Sequence, residues 1–464
     1  MKSFVAMSRW LGSIWLLALI VSPSIEAEDV TERLVDLGNK PAESRQRGVS
    51  RNLWDLQLFD GKIYLGMGST VDDRGPIPVW AYDHAARRWN DAPETIVDLE
   101  AIELYRVIDG QLYIPAADPK EKATEGSKFY RRRTDGQWAH MVSVRPLHTA
   151  HIRDLAGASG SIIGVGNSRD PHRMVNAKPS AIAISTRMID TQPTTRNQIG
   201  LFRSAISLEP PGQSGGRVDA DTSQRNRVGN WLFSVFQLHD GLYASTRWLS
   251  WASDNPEPVG LYAPRPEYPP QVPPFPTVLR WEPSLQEFAA LPADELDRLV
   301  PESPDRDPQT TLRPFKPTLF GELWFAPLRS YSLTRAGYQS LYNMSADFVV
   351  KPADGPGLRV TLPNPDALGE AVVVDDDQLY VLSNARQASG DYRVAVYALT
   401  LADARAERLN ADSGLDKTAW REVLYFTSTN LARSFAKVNS TWYFGLGMAF
   451  GEAAESAGAL LRLD

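Results

Sequence analysis

A phrase of alternating hydrophobic and polar residues, interrupted by a short polar turn, recurs along the chain. The turn is Asp-Gly, Asn-Ser or a similar pair, and the second half of most phrases begins with Leu-Tyr or a related pair. Asp, Asn and Gly tolerate the positive φ that a tight turn requires, so each phrase predicts a β-hairpin. The seven phrases lie within residues 53–64, 105–113, 151–165, 233–243, 317–324, 371–380 and 434–443.

Most of the predicted hairpins are followed by a polar loop and two further short strands. The third strands include residues 79–82, 128–131, 277–281 and 394–397, and the fourth strands include residues 88–89, 137–138 and 287–288. Repeated units of four antiparallel strands are typical of propeller blades. The sequence therefore predicts an all-β fold, a seven-bladed β-propeller. Two stacked β-sandwiches are the alternative.

The two ends of the predicted domain complement each other. Residues 459–464 are typical of a third strand with no fourth strand after it, and residues 31–37 of a fourth strand with no blade before it. Pairing the two segments completes one blade and leaves no blade with an unfinished edge. We therefore expect a ring that closes by pairing an N-terminal strand with the C-terminal blade.

The N-terminus has the pattern of an export signal. Lys2 and Arg9 precede a hydrophobic run over residues 10–21, which is followed by the small and polar residues 22–27. This predicts a signal peptide over residues 1–27 and a single propeller domain over residues 28–464. We expect an exported protein, secreted or periplasmic, that is a monomer and has no membrane attachment after cleavage. An uncleaved N-terminal anchor is the alternative.

Composition narrows the chemistry that the chain can carry out. None of the 464 residues is cysteine, which excludes disulfides, thiolate metal sites and cysteine nucleophiles. The formal net charge of −7 argues against a nucleic-acid partner. The chain has no His-Glu-x-x-His and no Gly-rich phosphate loop before a helix.

Polar and cationic residues recur where the predicted hairpins open, and arginine is near six of the seven openings. The planar fork of arginine suits carboxylate and sulfate groups, so the cluster predicts an anionic ligand. Pairing of individual arginines with nearby Asp154 and Asp170 is the alternative. The predicted substrate-binding residues are Asn167, Arg169, Trp231, Arg247, Arg313 and Arg433.

Two histidines flank the third hairpin. His151 lies where its first strand begins and His172 lies just past the end of its second strand. Two histidines at one opening favour a catalytic or ligand-binding role. The two histidines would supply only half of the coordination shell of a zinc ion. The aspartates at residues 375–377 are more typical of a solvated turn than of a calcium site. We therefore expect no required cofactor, with a zinc or calcium ion as an open alternative.

The third and fourth hairpins resemble those of the secreted seven-bladed propeller lyases that cleave ulvan, a sulfated, uronate-containing polysaccharide. The resemblance rests on residues 129–130, 137–138, His151, His172 and Arg247. It implies His151 and His172 as the histidine pair of the site and Arg247 as the carboxylate-binding arginine. The family's tyrosine is expected near residues 231–233, where this chain has Trp-Leu-Phe.

Tyr243 is the nearby candidate for that tyrosine, although the repeated Leu-Tyr phrase that contains it is typical of the core. Tyr262 and Tyr268 are alternatives in a Pro-rich loop.

Lyase chemistry suits these residues on physical grounds. β-Elimination removes the proton next to a uronate carboxylate, and Arg247 would stabilise the enolate-like charge that develops. A neutral histidine can take the proton while a second acid protonates the leaving oxygen. We therefore expect a polysaccharide lyase acting on an anionic, ulvan-like glycan. The alternative is a non-catalytic glycan-binding or scaffolding propeller of the cell envelope.

Overall fold

The predicted hairpin turns form where residues adopt left-handed backbone conformations. In the first two hairpins, Asp60, Gly61, Asp109 and Gly110 have φ angles of 52°, 71°, 49° and 69°. Glycine and short polar residues accept these angles at low cost, so the flanking strands can pair directly. The structural statements below concern the residues that the computed structural model describes. These are residues 27–38, 40, 52–68, 75–117, 119, 128–143, 149–158, 160–168, 179–185, 196–199, 203–204, 228–250, 278–285, 287–291, 295, 298–299, 310–314, 316–332, 343–408, 419–448 and 458–464.

The first part of the described chain forms two sheets, numbered in chain order. It begins with β1 (Glu28–Asp29), a 3-10 turn (Thr31–Arg33) and β2 (Val35–Asp36). Sheet 1 contains β3 (Leu53–Phe59), β4 (Lys62–Met67), β6 (Ala81–Asp83) and β7 (Arg88–Trp89), and the separate pair β5 (Ile77–Val79) and β8 (Thr95–Val97) contacts it. Sheet 2 contains β9 (Arg106–Ile108), β10 (Gln111–Pro115), β11 (Lys128–Arg132) and β12 (Trp138–Ser143).

The next two sheets have the longest inner hairpins. Sheet 3 contains β13 (Thr149–Ala158), β14 (Ser161–Ser168), β15 (Pro179–Ser185) and β17 (Arg203–Ser204), while β16 (Arg196–Ile199) joins sheet 2 parallel to β12. Sheet 4 contains β18 (Val228–Leu238), β19 (Gly241–Ser250), β20 (Val278–Glu282) and β21 (Glu287–Ala290).

Three further sheets complete the described chain. Sheet 5 contains β22 (Thr310–Pro314), β23 (Thr318–Phe320), β24 (Leu323–Ser332), β25 (Asn343–Pro352) and β26 (Leu358–Thr361). Sheet 6 contains β27 (Leu368–Asp375), β28 (Gln378–Arg386), β29 (Tyr392–Thr400) and β30 (Arg421–Ser428), with helix α1 (Leu401–Arg408) between its last two strands. Sheet 7 contains β31 (Leu431–Val438), β32 (Thr441–Gly447) and β33 (Leu460–Leu463).

The two N-terminal strands join the last two sheets. β1 runs parallel to β30 in sheet 6. β2 pairs antiparallel with β33 in sheet 7, with Val35 opposite Arg462 and Asp36 opposite Leu461. The backbone N–H of Leu37 donates to the carbonyl oxygen of Leu460 at 2.9 Å, and that of Leu460 donates to the carbonyl oxygen of Gly38 at 3.2 Å, which extends this pairing. The N-terminal segment therefore supplies the outer strand that sheet 7 lacks.

Hydrophobic clusters connect consecutive sheets. Buried side chains join sheet 2 to sheet 3, sheet 3 to sheet 4, sheet 4 to sheet 5, sheet 5 to sheet 6, and sheet 6 to sheet 7. One further cluster contains residues of sheets 1, 2 and 7. The first strands of most sheets lie around a common cavity. Four-stranded sheets packed face to face around a centre are the architecture of a β-propeller, so the predicted all-β propeller is confirmed.

Candidate functional site

The first strand of five sheets contains a β-bulge at the same place. In β13, for example, Ile152 lies opposite Gly166 and Asp154 lies opposite Val165, so that Arg153 has no partner residue in the ladder. A bulge re-aims the extra side chain out of the regular alternation of the strand. The five bulged residues are Trp54, Arg153, Phe233, Glu370 and Arg433.

These bulges help to build a cavity of about 400 Å³ at the centre of the propeller. Residues of β3, β9, β13, β23, β27 and β31, with the segments beside them, line it. The charged lining residues are Asp55, Glu103, Arg106, Arg153, Lys316, Glu370, Arg433 and Lys437. The bulge therefore explains how charged residues on a hydrophobic strand come to face a shared space.

Asp154 is the most tightly bound charge beside this cavity. It is fully buried, and its two carboxylate oxygens accept hydrogen bonds from Arg106 at 2.7 and 2.8 Å. They also accept from the backbone of Leu155 and from the side chain of Ser234 and the backbone of Val235. Burial lowers the pKa of Arg106, but the charge and hydrogen bonds of Asp154 outweigh it and raise that pKa above its ordinary value. This cluster ties sheets 2, 3 and 4 together.

Arg433 also belongs to the framework of the propeller. Its Nε donates to Asn52 Oδ1 at 2.9 Å, and its Nη2 donates to the carbonyl oxygen of Met448. The guanidinium lies 4.4 Å from the ring centroid of Trp54 and 3.9 Å from a carboxylate oxygen of Glu370. It was predicted to bind substrate at the hairpin opening; the structure places it, largely buried, between sheets 6, 7 and 1, where it also lines the cavity.

Two further ion pairs flank the cavity with longer separations. Arg153 Nη1 is 3.5 Å from Glu103 Oε1, and Lys316 Nζ is 3.6 Å from Asp55 Oδ1. The other oxygen of Asp55 accepts a hydrogen bond from the backbone of Tyr105 at 2.7 Å. The sequence analysis did not identify these groups as a unit. A three-residue pattern nevertheless recurs at the five bulges: a hydrophobic or small residue, then the large bulged residue, then Asp, Ser or Ala.

His151 lies two residues before the bulged Arg153 and is anchored to the neighbouring sheet. Its Nδ1 is 2.9 Å from the carbonyl oxygen of Ala117, and the adjacent Ile152 backbone donates to Ala116. Because a carbonyl only accepts, Nδ1 must carry the proton of this hydrogen bond. The neutral imidazole therefore keeps its lone pair on Nε2, which is the nitrogen suited to accept a proton or bind a metal.

The strand register places other predicted positions at the same end of the propeller. Asn167 lies opposite His151 in sheet 3. In sheet 4, Arg247 lies opposite Trp231, which precedes its own bulge by two residues, as His151 does. The fold therefore brings these four backbone positions to one level of adjacent hairpins.

Other predicted site residues have less structural description. Arg313 lies opposite Arg329 in sheet 5, just before the segment that separates β22 from β23. His172, Arg169, Tyr262 and Tyr268 lie outside the described residues. For Asn167, Trp231, Arg247 and Arg313, the backbone position is described and the side chain is not.

Tyr243 occupies a position in the core, which argues against its predicted catalytic role. It is 4% exposed, stacks on Phe236 with a centroid separation of 6.0 Å, and donates a hydrogen bond to Asp240 at 2.9 Å. Burial, the hydrogen bond to Asp240 and the charge of Asp240 raise the pKa of Tyr243 above its ordinary value. It lies near the turn of its hairpin, whereas His151 lies at the open end of its own. We therefore leave Tyr243 out of the candidate site.

No group of three or more His, Asp or Glu side chains among the described residues is arranged to hold a metal ion. Asp375 ends β27 at a hairpin turn and forms an ion pair with Lys437. No helix in the described part of the chain has the length and hydrophobicity needed to span a membrane.

Comparisons with known proteins give similarity only at the level of solved structures. No family model matches the chain, and no curated protein matches it. A streptogramin B lyase structure has 8% identity and a TM-score of 0.42, covering 90% of this chain and 94% of that chain. The β-propeller domain of the Trilobed protease from Pyrococcus furiosus has 9% identity and a TM-score of 0.40, covering 85% and 91%. The polysaccharide lyase Uly1 has 10% identity and a TM-score of 0.38, covering 88% and 90%.

Proposed function

We propose that this protein is a polysaccharide lyase that cleaves an anionic, uronate-containing glycan of the ulvan type by β-elimination. The observation that carries the proposal is the anchoring of His151 Nδ1 to the Ala117 carbonyl. This contact fixes the neutral tautomer whose Nε2 can accept a proton, at the end of the propeller where Asn167, Trp231 and Arg247 also lie.

In the proposed reaction, His151 Nε2 removes the proton from the carbon next to the uronate carboxylate. The electrons of that C–H bond form a carbon–carbon double bond, and the glycosidic C–O bond breaks. His172 protonates the leaving oxygen, and Arg247 pairs with the carboxylate while its charge develops. Asn167, Arg169, Trp231 and Arg313 are proposed to bind neighbouring parts of the glycan. The elimination involves no net oxidation or reduction and requires no redox cofactor.

A non-catalytic glycan-binding or scaffolding propeller is the second candidate. It is favoured by the pairing of charges with one another beside the cavity, as in Arg106 with Asp154 and Arg433 with Glu370. Such pairs give several of the charges beside the cavity a structural role in joining the sheets, which does not require the protein to catalyse a reaction.

We also propose that the propeller has seven blades and a closed ring. Support comes from the pairing of β2 with β33 and from the cluster that contains residues of sheets 1, 2 and 7. The proposed mature protein begins after residue 27, is exported to the periplasm or medium, and acts as a monomer on its polysaccharide. Expression with the leader and mass determination of the exported protein would test the cleavage position.

The lyase proposal is tested by incubating the purified protein with ulvan, alginate, polygalacturonate and a neutral glucan. Ultraviolet absorbance of the unsaturated uronate product should rise with at least one acidic glycan and not with the neutral one. Binding of an acidic glycan without new absorbance would overturn the lyase reading and support the second candidate. If no acidic glycan is either bound or cleaved, the lyase proposal and the glycan-binding alternative are both contradicted, and only the scaffolding alternative is left.

A further inference from the structure

The lining of the central cavity changes character along the inner strands. Its charged part lies at the bulges, where Arg153 pairs with Glu103 and Arg433 pairs with Glu370. From the bulges to the hairpin turns the lining is mostly hydrophobic, and it includes Leu56, Leu58, Val372, Val374, Phe435 and Ala436. We call this part the turn-side channel. It lies at the other end of the hairpins from His151, so the proposed lyase reaction does not use it.

The inner strand of sheet 6 shows that the turn-side channel leaves hydrophobic side chains uncovered. Residues 371–375 of β27 are all only partly buried, whereas residues 379–384 of β28, the next strand of the same sheet, are buried. Val372, Val373 and Val374 line the cavity, so it is the channel that exposes them. Covering such a hydrophobic wall with an apolar group is favourable, because it removes the wall from water.

Further exposed hydrophobic side chains mark the place where the turn-side channel opens. Leu58, Val107 and Leu319 are 41%, 45% and 45% exposed. Each comes one residue before the strand pair that flanks its hairpin turn, in sheets 1, 2 and 5, and Val374 has the same position in sheet 6. Exposed hydrophobic residues that gather at one opening indicate a binding surface, whereas scattered ones are ordinary.

The hairpin turns around this opening are acidic. Their described residues include no lysine or arginine, and the turns of five sheets contain the acids Asp60, Asp109, Asp240, Glu322, Asp376 and Asp377. Glu322 pairs with Arg405, and Asp60 lies 3.7 Å from Arg132. Asp109, Asp376 and Asp377 form no ion pair with another described residue. The turns therefore give the opening a negative charge.

Two cations also line the turn-side channel, and partners compensate both of them. Arg106 donates two hydrogen bonds to Asp154, at 2.7 and 2.8 Å. Lys437 pairs with Asp375, and its ammonium nitrogen lies 5.4 and 5.6 Å from the centroids of two aromatic rings. Because these positive charges are already paired, they do not cancel the negative charge of the turns.

We propose that the turn-side channel binds an aliphatic amine in its ammonium form. The hydrocarbon part lies against the leucines and valines of the wall, and the ammonium group stays at the opening and donates hydrogen bonds to the aspartates of the turns. Leu58 and Val374 each lie four residues from the bulge of their strand, which is about 13 Å of strand. A hydrocarbon chain of medium length therefore fits along the wall. An anionic glycan has the wrong charge for this opening, so the site differs in ligand class from the proposed lyase site.

Isothermal titration of the purified protein tests the ligand class, and it does not involve the lyase reaction. Octylammonium is compared with octanoate, which has the opposite charge, and with butylammonium, which has the same charge and a shorter chain, all below the concentrations at which micelles form. We expect octylammonium to bind and the other two to bind at least about tenfold more weakly, because one lacks the cation and the other lacks apolar area. No binding of octylammonium, or equal affinity for octylammonium and either other compound, would overturn the proposal.

Two variants locate the site. Leu58→Asn makes the wall polar, and the double variant Asp376→Asn with Asp377→Asn removes charge from the opening; each should weaken octylammonium binding about tenfold. Ile96→Asn is the matched control, since Ile96 is 62% exposed on β8 and does not line the cavity. Unchanged affinity in either variant, or an equal loss in Ile96→Asn, would overturn the proposal. If Leu58→Asn does not fold, the double variant alone decides.

Discussion

Arg106 and Asp154 form a two-point ion pair between sheets 2 and 3, with N–O distances of 2.7 and 2.8 Å. The aspartate is fully buried and also accepts hydrogen bonds from Ser234 and Val235 of sheet 4. A single carboxylate therefore connects three consecutive sheets beside the central cavity.

Removing this carboxylate should strongly destabilise the propeller. We expect Asp154→Ala to lower the free energy of unfolding by about 3–5 kcal/mol, because it leaves the partly buried guanidinium of Arg106 without its carboxylate partner. Urea unfolding followed by fluorescence measures the effect. Asp135→Ala is the control, since Asp135 is half-exposed and pairs with Arg133 on the surface. Similar stability of the two variants would show that Asp154 is not a structural tie.

If the lyase proposal holds, His151 is required for turnover and not for folding. His151→Ala should lower kcat on the cleaved glycan at least about a hundredfold, which is typical for loss of a general base. The matched control is His239→Ala, because His239 Nε2 also contacts a carbonyl of the next sheet, Glu322, at 2.7 Å. Near-full activity of His151→Ala, or an equal loss in both variants, would remove His151 from the mechanism.

Gly166 is needed because a backbone group occupies the space of a side chain. A Cβ atom there would lie 1.7 Å from the carbonyl oxygen of His151. At Gly110 a Cβ would meet nothing within 4 Å, although φ is +69°. We expect Gly110→Ala to cost about 1 kcal/mol of stability and Gly166→Ala at least twice as much. Thermal unfolding of both variants checks the order, and a milder effect at Gly166 would contradict it.

Glu94 should make stability depend on acidic pH. Burial raises its pKa, but hydrogen bonds from Arg132, Trp138 and Tyr64 and the charge of Arg132 outweigh burial, so the pKa lies below its ordinary value. A carboxyl with a lowered folded-state pKa stabilises the fold above its unfolded pKa of about 4.3, and this contribution is lost as pH falls through the folded pKa.

The stability difference between the wild type and Glu94→Gln should therefore be largest near neutral pH and shrink below about pH 4. Urea unfolding across that range is the measurement. If the free energies of unfolding of the wild type and Glu94→Gln differ by the same amount down to low pH, Glu94 does not contribute in this way.

If the ring is closed as proposed, two cysteines introduced into the closing strands should form a disulfide. The chain has no natural cysteine that could compete. Asp36 lies opposite Leu461 in the pairing of β2 with β33. Paired strand positions lie within the Cα separation of about 4.4–6.8 Å that a disulfide needs. The variant with Asp36→Cys and Leu461→Cys should oxidise within one molecule and melt at a higher temperature than its reduced form. Persistent free thiols under oxidising conditions would argue against the pairing in solution.

Much of the architecture followed from local sequence. Asp-Gly at residues 60–61 and 109–110 sets the turn, and alternation of hydrophobic residues sets the strands on either side. These signals act over a few residues, so all seven predicted hairpin segments coincide with observed strand pairs. The helix α1 was not expected, because eight residues between two strands of one sheet carry little periodic signal.

The arrangement of charges depended on tertiary structure. Arg433 and Asn52 are 381 positions apart, and Arg106 and Asp154 are 48 apart, so no local pattern joins them. Arg433 was predicted to bind substrate near a hairpin opening, and only the packing of sheets 6, 7 and 1 shows its hydrogen bonds to Asn52 and Met448. Tyr243 looked like a candidate acid, and only the contacts of Phe236 and Asp240 placed it in the core.

The sequence by itself determined the repeated hairpins, because turn conformation and strand alternation are properties of neighbouring residues. Only the tertiary structure decided which side chains share the central cavity. A β-bulge forms only when two strands pair, and it is the bulge that turns the extra side chain toward the centre. The ion pair of Lys316 and Asp55 across that cavity exists because the fold brings two sheets, distant in the chain, around one centre.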